Sequence, residues 1–317
     1  MGRSDGASDR PSGATGGWKG SLAAVLKAHN GARHDGAVAS FATQDKRSDV
    51  LYAGFKSLHA LGFRMESATS LRGKHIEALI KDWHARGLSA STLQNNLSIF
   101  RTFAEWIGKA GMVRDVGHYL ASEMTARSSI AHEDKSWSER GVDVAAKIAQ
   151  VRERDARVAL QLQLQLAFGL RAREAMQLRP HIADQGTYLS ITHGTKGGRD
   201  RVEPIRTPEQ RALLDLAKTF CATRSSSTSD PQRKLAEWKN HYYQVVRSCG
   251  ITRKDGITSH GLRHQYANER YRELTGSDSP VRGGVGVERE TDRAAREVVA
   301  EELGHSREGV TTHYLGR

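Results

Sequence analysis

Six residues in the second half of the chain carry the side chains that phosphodiester chemistry needs. Arg171 stands in FGLRARE, three residues before Glu174. Lys196 sits beside a Gly-Gly pair in THGTKGGRDR. His260 and Arg263 lie in SHGLRHQYA, His305 follows a glycine in ELGHS, and Tyr314 comes nine residues later in TTHYLGR. Two guanidiniums can neutralise, bidentately, the negative charge that grows on a phosphate under attack, and preorganised charge is usually the largest catalytic contribution. A tyrosine hydroxyl, with an ordinary pKa of about 10, needs a base or a cationic pocket to act as a nucleophile. A lysine or histidine can protonate the departing 5′-oxygen. Together these types can open a phosphodiester without a metal.

Taken singly, each has a plainer explanation. An Arg-x-x-Glu on a helix is most often an ion pair, a lysine beside Gly-Gly a solvated turn residue, and LGHS the end of a helix. HGLRH has the His-x-x-x-His outline of a zinc helix, but it lacks the glutamate after the first histidine, and no third ligand follows. Cys221 and Cys249 have neither metal-site spacing nor a disulfide framework. No metal and no cofactor are therefore expected.

The elements that must position these residues are mostly helical. In SASTLQNNLSIFRTFAEWIGKAG, the apolar residues Leu93, Leu97, Phe100, Phe103, Ala104 and Ile107 recur at steps of three and four. Ser89 or Ser91 is suited to the N-cap, and Gly108 or Gly111 to the stop. The opposite face carries Gln94, Asn95, Ser98 and Arg101. Further on, LQLQLQL alternates as a strand would. It sits in a long run of Ala, Leu, Gln and Arg without turn signals, which favours helix. TYLSIT and RVEPI flank a Gly-Gly turn and are read as a hairpin within 187–205. TGSDSPVRGGVGVER, 275–289, has the composition of a flexible loop.

The whole divides into a Gly-, Ser- and Arg-rich arm over 1–17, a helical domain over 18–124, a polar linker over 125–141 and a second domain over 142–317. The fold class is mainly α with a small β-hairpin. With 317 residues the chain is long enough for two domains, and its formal net charge of +12 points to a polyanionic partner. The sequence holds neither an apolar run near the ~18 residues that span a bilayer nor a signal-peptide core. A cytoplasmic, nucleoid-associated protein with no membrane partner is expected.

The ordered set GLRAREAMQLRP, GTKGGRDRVEPI, HGLRHQYA, ELGHS and TTHYLGR resembles the tyrosine recombinase (phage integrase) family. The match spans about 140–317, and the helical segment before it is similar to that family's core-binding (SAM-like) DNA-binding domain. Each motif is weak alone; five in order are specific. The resemblance implies that Arg171 and Arg263 clamp the scissile phosphate and that Lys196 is general acid toward the 5′-oxygen. By the same token, His260 assists proton transfer, His305 hydrogen-bonds the phosphate, and Tyr314 attacks to leave a 3′-phosphotyrosine and a free 5′-hydroxyl.

It further implies a metal- and ATP-independent site-specific recombinase that integrates or excises a mobile element. Such an enzyme acts on double-stranded DNA as a tetramer, aided by DNA-bending and directionality factors. The two domains would clamp the duplex as a C. Asn95, Arg101, Arg199 and His264 are the candidates for contacting DNA. A type IB topoisomerase-like relaxase and a catalytically silent DNA-binding regulator are the alternatives. Two departures from the family pattern stand out: 42 residues separate Arg263 from His305, and only three follow Tyr314. A docking helix beyond the tyrosine is therefore lacking, so either assembly is controlled otherwise or the chain is cut short, and attack within the tyrosine's own subunit is favoured.

Overall fold

The computed structural model describes residues 17–32, 36, 38–121, 130–195, 200–305 and 307–317, in two units, 1–127 and 128–317. Apart from Gly17, the expected arm lies outside the described residues.

The first unit is a helical domain of α1 (Trp18–His29), α2 (Phe41–Ala60), α3 (Gly73–Ala85) and α4 (Ala90–Trp106). The three-and-four spacing read in α4 is the spacing that is buried: Leu93, Leu97, Phe100, Phe103 and Ala104 all face the core. Phe55 of α2 meets Phe103 edge-on with ring centres 5.6 Å apart, and Phe100 lies 5.8 Å from Trp83. Gly54 allows that packing, since a Cβ there would stand 2.4 Å from Phe100 Cζ. Ser89 caps α4 by accepting the Thr92 N–H at 3.3 Å, and Gly108, with φ of 73°, follows its last turn.

The second unit contains α5 (Val144–Arg154), α6 (Ala156–Phe168), α7 (Ala172–Gln177), α8 (Pro180–Ala183), β1 (Tyr188–Ile191), β2 (Arg201–Pro204), α9 (Pro208–Thr219), α10 (Leu235–Ser248), α11 (Gly261–Thr275), α12 (Arg289–Glu302) and α13 (Thr312–Leu315). LQLQLQL forms the body of α6, with Asp155 as N-cap through the Val158 N–H at 2.9 Å. Its alternation is harmless because α6 is a central helix, covered on most sides. Leu160, Leu162 and Leu164 are buried, and so are Gln161 and Gln165. Those glutamines are satisfied by Trp238 and Tyr242 of α10, at 3.2 and 2.8 Å.

The hairpin pairs β1 with β2 antiparallel, Ile191 opposite Arg201. Its apolar and charged faces do not follow the simple rule. Leu189 and Ile191 of β1 are buried, but β2 turns Arg201 and Glu203 inward and leaves Val202 outside.

Two expectations are corrected. Of the linker expected over 125–141, residues 125–129 lie outside the described residues, and 130–141 belong to the second unit. Trp137 is wholly buried, with its indole N–H donating to Thr258 O at 2.7 Å, and the Ala131 N–H donates to Thr312 O at 2.8 Å. Polarity misled here because Asp134 and Ser136 are buried polar residues whose bonds are met inside the fold. Likewise, 275–289 is not loose throughout: 279–282 is anchored, while Val285 beyond it is exposed. Ser279 is fully buried, and Arg282 bonds Asp134 at 2.6 Å across a separation of 148 residues.

Candidate active site

The second unit brings Arg171, His260, Arg263, His305 and Tyr314 into one place. Arg171 is the N-cap of α7, and its backbone N–H donates to Glu174 Oε2 at 2.8 Å while its Nη1 reaches Glu174 Oε1 at 2.6 Å. The Arg-x-x-Glu run is thus both a helix start and a means of aiming a guanidinium. His260 caps α11, and Arg263 lies on its first turn, wholly buried.

Arg263 is held from three sides. It donates to the carbonyls of Gly169 and Leu303, and its Nε stands 3.3 Å from the Tyr314 hydroxyl. Gly169 has to be glycine. Its φ is 56°, and a Cβ there would lie 2.6 Å from the Tyr266 ring and 2.9 Å from Leu303. Leu303 O also accepts from Arg171 Nη2 at 3.3 Å, so a single carbonyl ties the two guanidiniums together.

Charge in this region is arranged rather than cancelled. The carboxylate of Glu174 has Arg171, Arg201 and Arg263 within 4 Å, at 2.6, 2.8 and 3.9 Å. Burial alone would raise its pKa; the three guanidiniums, Arg201 foremost, outweigh that and hold it below the ordinary value. Burial first, with Arg171 and Arg201 nearby, pushes Arg263 down to about 10. A phosphate is the group such a pocket is built to accept.

The surroundings of the imidazoles favour their neutral form. Burial, then Arg263, Arg171 and Arg201, lowers His305 to about 3. Burial and the same two cations Arg263 and Arg171 lower His260 to about 4. His260 is exposed to solvent at the start of α11. In the favoured neutral form each ring has one nitrogen that donates and one that accepts. His305 Nε2 lies 3.4 Å from Arg263 Nη2, and the rings of His305 and His260 are centred 5.8 and 6.0 Å from that of Tyr314.

Tyr314 lies on α13, a helix of four residues, and is buried. The Arg263 guanidinium carbon lies 5.8 Å from its ring centre. In this chain the Tyr314 hydroxyl reaches Arg263 Nε of the same polypeptide.

The remaining candidates divide. Lys196 and Arg199 lie outside the described residues. His264 was expected to face a DNA groove. Instead it is buried, its ring centred 4.7 Å from that of Tyr314, because the helical step from His260 turns it under the tyrosine. Arg101 is engaged within its own unit, donating to the Val113 and Arg114 carbonyls and to Asp115 at 2.9 Å, where it fastens the chain after α4. Asn95 is exposed on α4.

Arg201 was not singled out by the sequence, although it lies in GTKGGRDRVEPI. Its Nη1 donates to Glu302 O and its Nη2 to Glu174. The signal was present as period-two alternation with Glu203, but a charged inward face reads as a solvated one. Behind it lies a second network. Tyr266 donates to Glu203 and lies 2.7 Å from Glu302, and Arg206 lies 3.3 and 3.0 Å from those two carboxyls. Burial first, then the neighbouring Glu302, raises Glu203 to about 8. No group of three or more potential metal ligands occurs among the described residues, and no described helix is long and apolar enough to cross a membrane.

Known proteins share the fold that carries these residues. The family model described as phage integrase, N-terminal, matches residues 21–113, and the integrase model matches 127–269. No curated protein matches the sequence. Among solved structures, the fold is similar to a lambda integrase dimer bound to a COC′ core site, at 16% identity and a TM-score of 0.58, covering 94% of this chain and 95% of that one. It is also similar to the Tn1549 transposon integrase in complex with transposon right-end DNA, at 11% identity and a TM-score of 0.56, with 94% and 95% covered. A third similar structure is XerH bound to palindromic difH, at 14% and 0.55, with 94% and 81% covered.

Proposed function

This chain belongs to the phage integrase family of tyrosine recombinases, and from that premise we propose a site-specific DNA recombinase in which Tyr314 is the nucleophile. The observation that carries the reading is the Tyr314 hydroxyl 3.3 Å from Arg263 Nε, with Arg171 and His305 around the same point. The family assignment favours neither DNA relaxation nor a silent regulator.

The steps follow from these positions. A scissile phosphate enters the cationic pocket, and its non-bridging oxygens take hydrogen bonds from Arg171 and Arg263. His305, neutral, donates a further N–H to it. The Tyr314 oxygen attacks phosphorus as its proton passes to a neutral imidazole, the role given to His260. The bond to the 5′-oxygen breaks, and Lys196 is assigned the proton that this oxygen takes up. A 5′-hydroxyl from a second duplex then attacks the phosphotyrosine and releases Tyr314, so the number of phosphodiester bonds is conserved and neither metal nor ATP is required.

Two duplexes cut on both strands need four such sites, hence a tetramer on paired DNA. A lambda integrase tetramer bound to a Holliday junction is among the similar structures. Integration or excision of a mobile element, nucleoid association, and help from bending and directionality proteins belong to the same reading. Asn95 is placed toward DNA in it, and Arg199, in the basic hairpin run, toward the backbone, where Arg contacts make binding salt-dependent.

The test is a duplex carrying the element's junction with a nick two bases from the cut, incubated without metal. Denaturing gels should show a protein–DNA adduct with the wild type and none with Tyr314→Phe. An adduct that persists in Tyr314→Phe would assign the attack to another residue, and DNA binding without any adduct would favour a silent regulator.

A further inference from the structure

The nucleophile stands on a helix too short to hold itself. Even with the 3₁₀ turn Glu308–Thr311 that leads into it, the helical stretch ending in α13 is far shorter than the roughly 12 residues at which an isolated helix becomes even marginally stable. Something else must define where the Tyr314 oxygen stands. The tyrosine backbone rests on a buried polar cluster that plays no part in holding the phosphate. Asn268 of α11, wholly buried, donates from Nδ2 to Tyr314 O at 3.3 Å and to His264 O at 2.9 Å, with Asp134 Oδ1 also at 3.3 Å. Its Oδ1 accepts from the Ser279 hydroxyl. Asp134 is in turn fixed by Arg282 at 2.6 Å and by the Ser136 hydroxyl at 2.7 Å, and Arg282 reaches Ser136 at 3.1 Å.

Buried polar groups are costly unless bonded, and a fully bonded set holds one arrangement rigidly. This set joins three stretches distant in sequence: 131–136, Asn268 on α11, and 279–282 from the long segment between Arg263 and His305. All three converge under α13, where the Ala131 N–H also holds Thr312 O and Val281 abuts Gly316.

We propose that Asp134, Asn268, Ser279 and Arg282 are positioning residues for Tyr314: they set the reach of the nucleophile without touching DNA. The segment at 275–289 thereby acquires a role, as the strap that closes the cluster. The inference rests on Tyr314 being the nucleophile. A displacement of about 1 Å can cost roughly 10²-fold in rate while leaving substrate binding intact.

The experiment measures single-turnover adduct formation on the nicked duplex, at saturating DNA and across a DNA titration. It uses wild type, Asn268→Ala, Arg282→Gln and Arg282→Lys. Expected is a saturated rate about 10²-fold lower for Asn268→Ala and Arg282→Gln, an unchanged half-saturating DNA concentration, and a substantial recovery in Arg282→Lys, which keeps the charge on Asp134. Unchanged saturated rates would overturn the proposal. So would a loss confined to half-saturation, or Lys performing no better than Gln. If the wild type itself forms no adduct, the nucleophile assignment fails, and the inference falls with it.

Discussion

In the first unit the helices are held by the residues that a hydrophobic pattern selects, whereas the second adds to its apolar clusters a buried group of charges. Asn30, His75 and Asn96 are the buried polar side chains among the described residues of the first unit. The second buries Glu174, Arg201, Glu203, Arg263 and Glu302 together. A core of Phe55, Phe100 and Phe103 gains from leaving water whatever surrounds it. A core of guanidiniums and carboxylates is stable only as a complete set, because each ion removed strands another. The first arrangement serves a part that has to keep its shape. The second serves a part that has to present positive charge in a dry place, where that charge acts most strongly.

The largest effect should follow from removing the anion that the three arginines share. Glu174→Ala leaves Arg263 wholly buried without its nearest carboxylate. Breaking a buried pair in this way costs about 3–5 kcal/mol. Adduct formation should fall by at least about 10²-fold as Arg171 loses its aim. Chemical denaturation and the nicked-duplex assay check both. A Glu174→Ala protein as stable as wild type would break the comparison, since the second core would then be no more charge-dependent than the first.

Next comes pH. Glu203 has a folded-state value raised to about 8 from 4.5. Its contribution to stability is therefore full below 4.5 and is lost as pH rises toward 8. His260, His264 and His305 are lowered from 6.5 to about 4, 3 and 3, so theirs is full above 6.5 and lost as pH falls toward 3–4. The second unit should weaken on both sides. His75, lowered by burial and then by Lys74, gives the first unit an acid limb of its own. Melting from pH 6.5 to 8.5 should show a decline that Glu203→Gln removes; a decline untouched by that substitution would assign it elsewhere.

Legibility followed the same division. The helical character of the first unit and the helix α4, with Ser89 or Ser91 as its cap, could be read because burial there is apolar and periodic. The five catalytic motifs could be read because their spacing resembles a family, not because any one was informative. What escaped was charge turned inward. Arg201 and Glu203 on β2, Asp134 and Ser136 in the expected linker, and Arg282 in the expected loop are all polar residues whose partners lie far along the chain. A local pattern registers polarity as solvent, and only a structure supplies the partner. His264 escaped for the opposite reason: its place in HGLRH suggested exposure, while one helical step put it beneath the tyrosine.

The smallest effect sharpens the comparison from the side of the first unit. Ser89 Oγ accepts the Thr92 N–H at 3.3 Å, one of the four donors that a helix start leaves without a partner. Ser89→Ala should cost about 1 kcal/mol, and Ser91→Ala, two residues later inside the helix, no more than about 0.5 kcal/mol. Thermal melts of the two variants distinguish the cap from its neighbour. Because distant, unshared sites contribute independently to stability, neither should alter the saturated rate of adduct formation. If Ser89→Ala slows that rate, the two cores are not separate in their energetics, and the stability of the apolar unit is being read by the charged one.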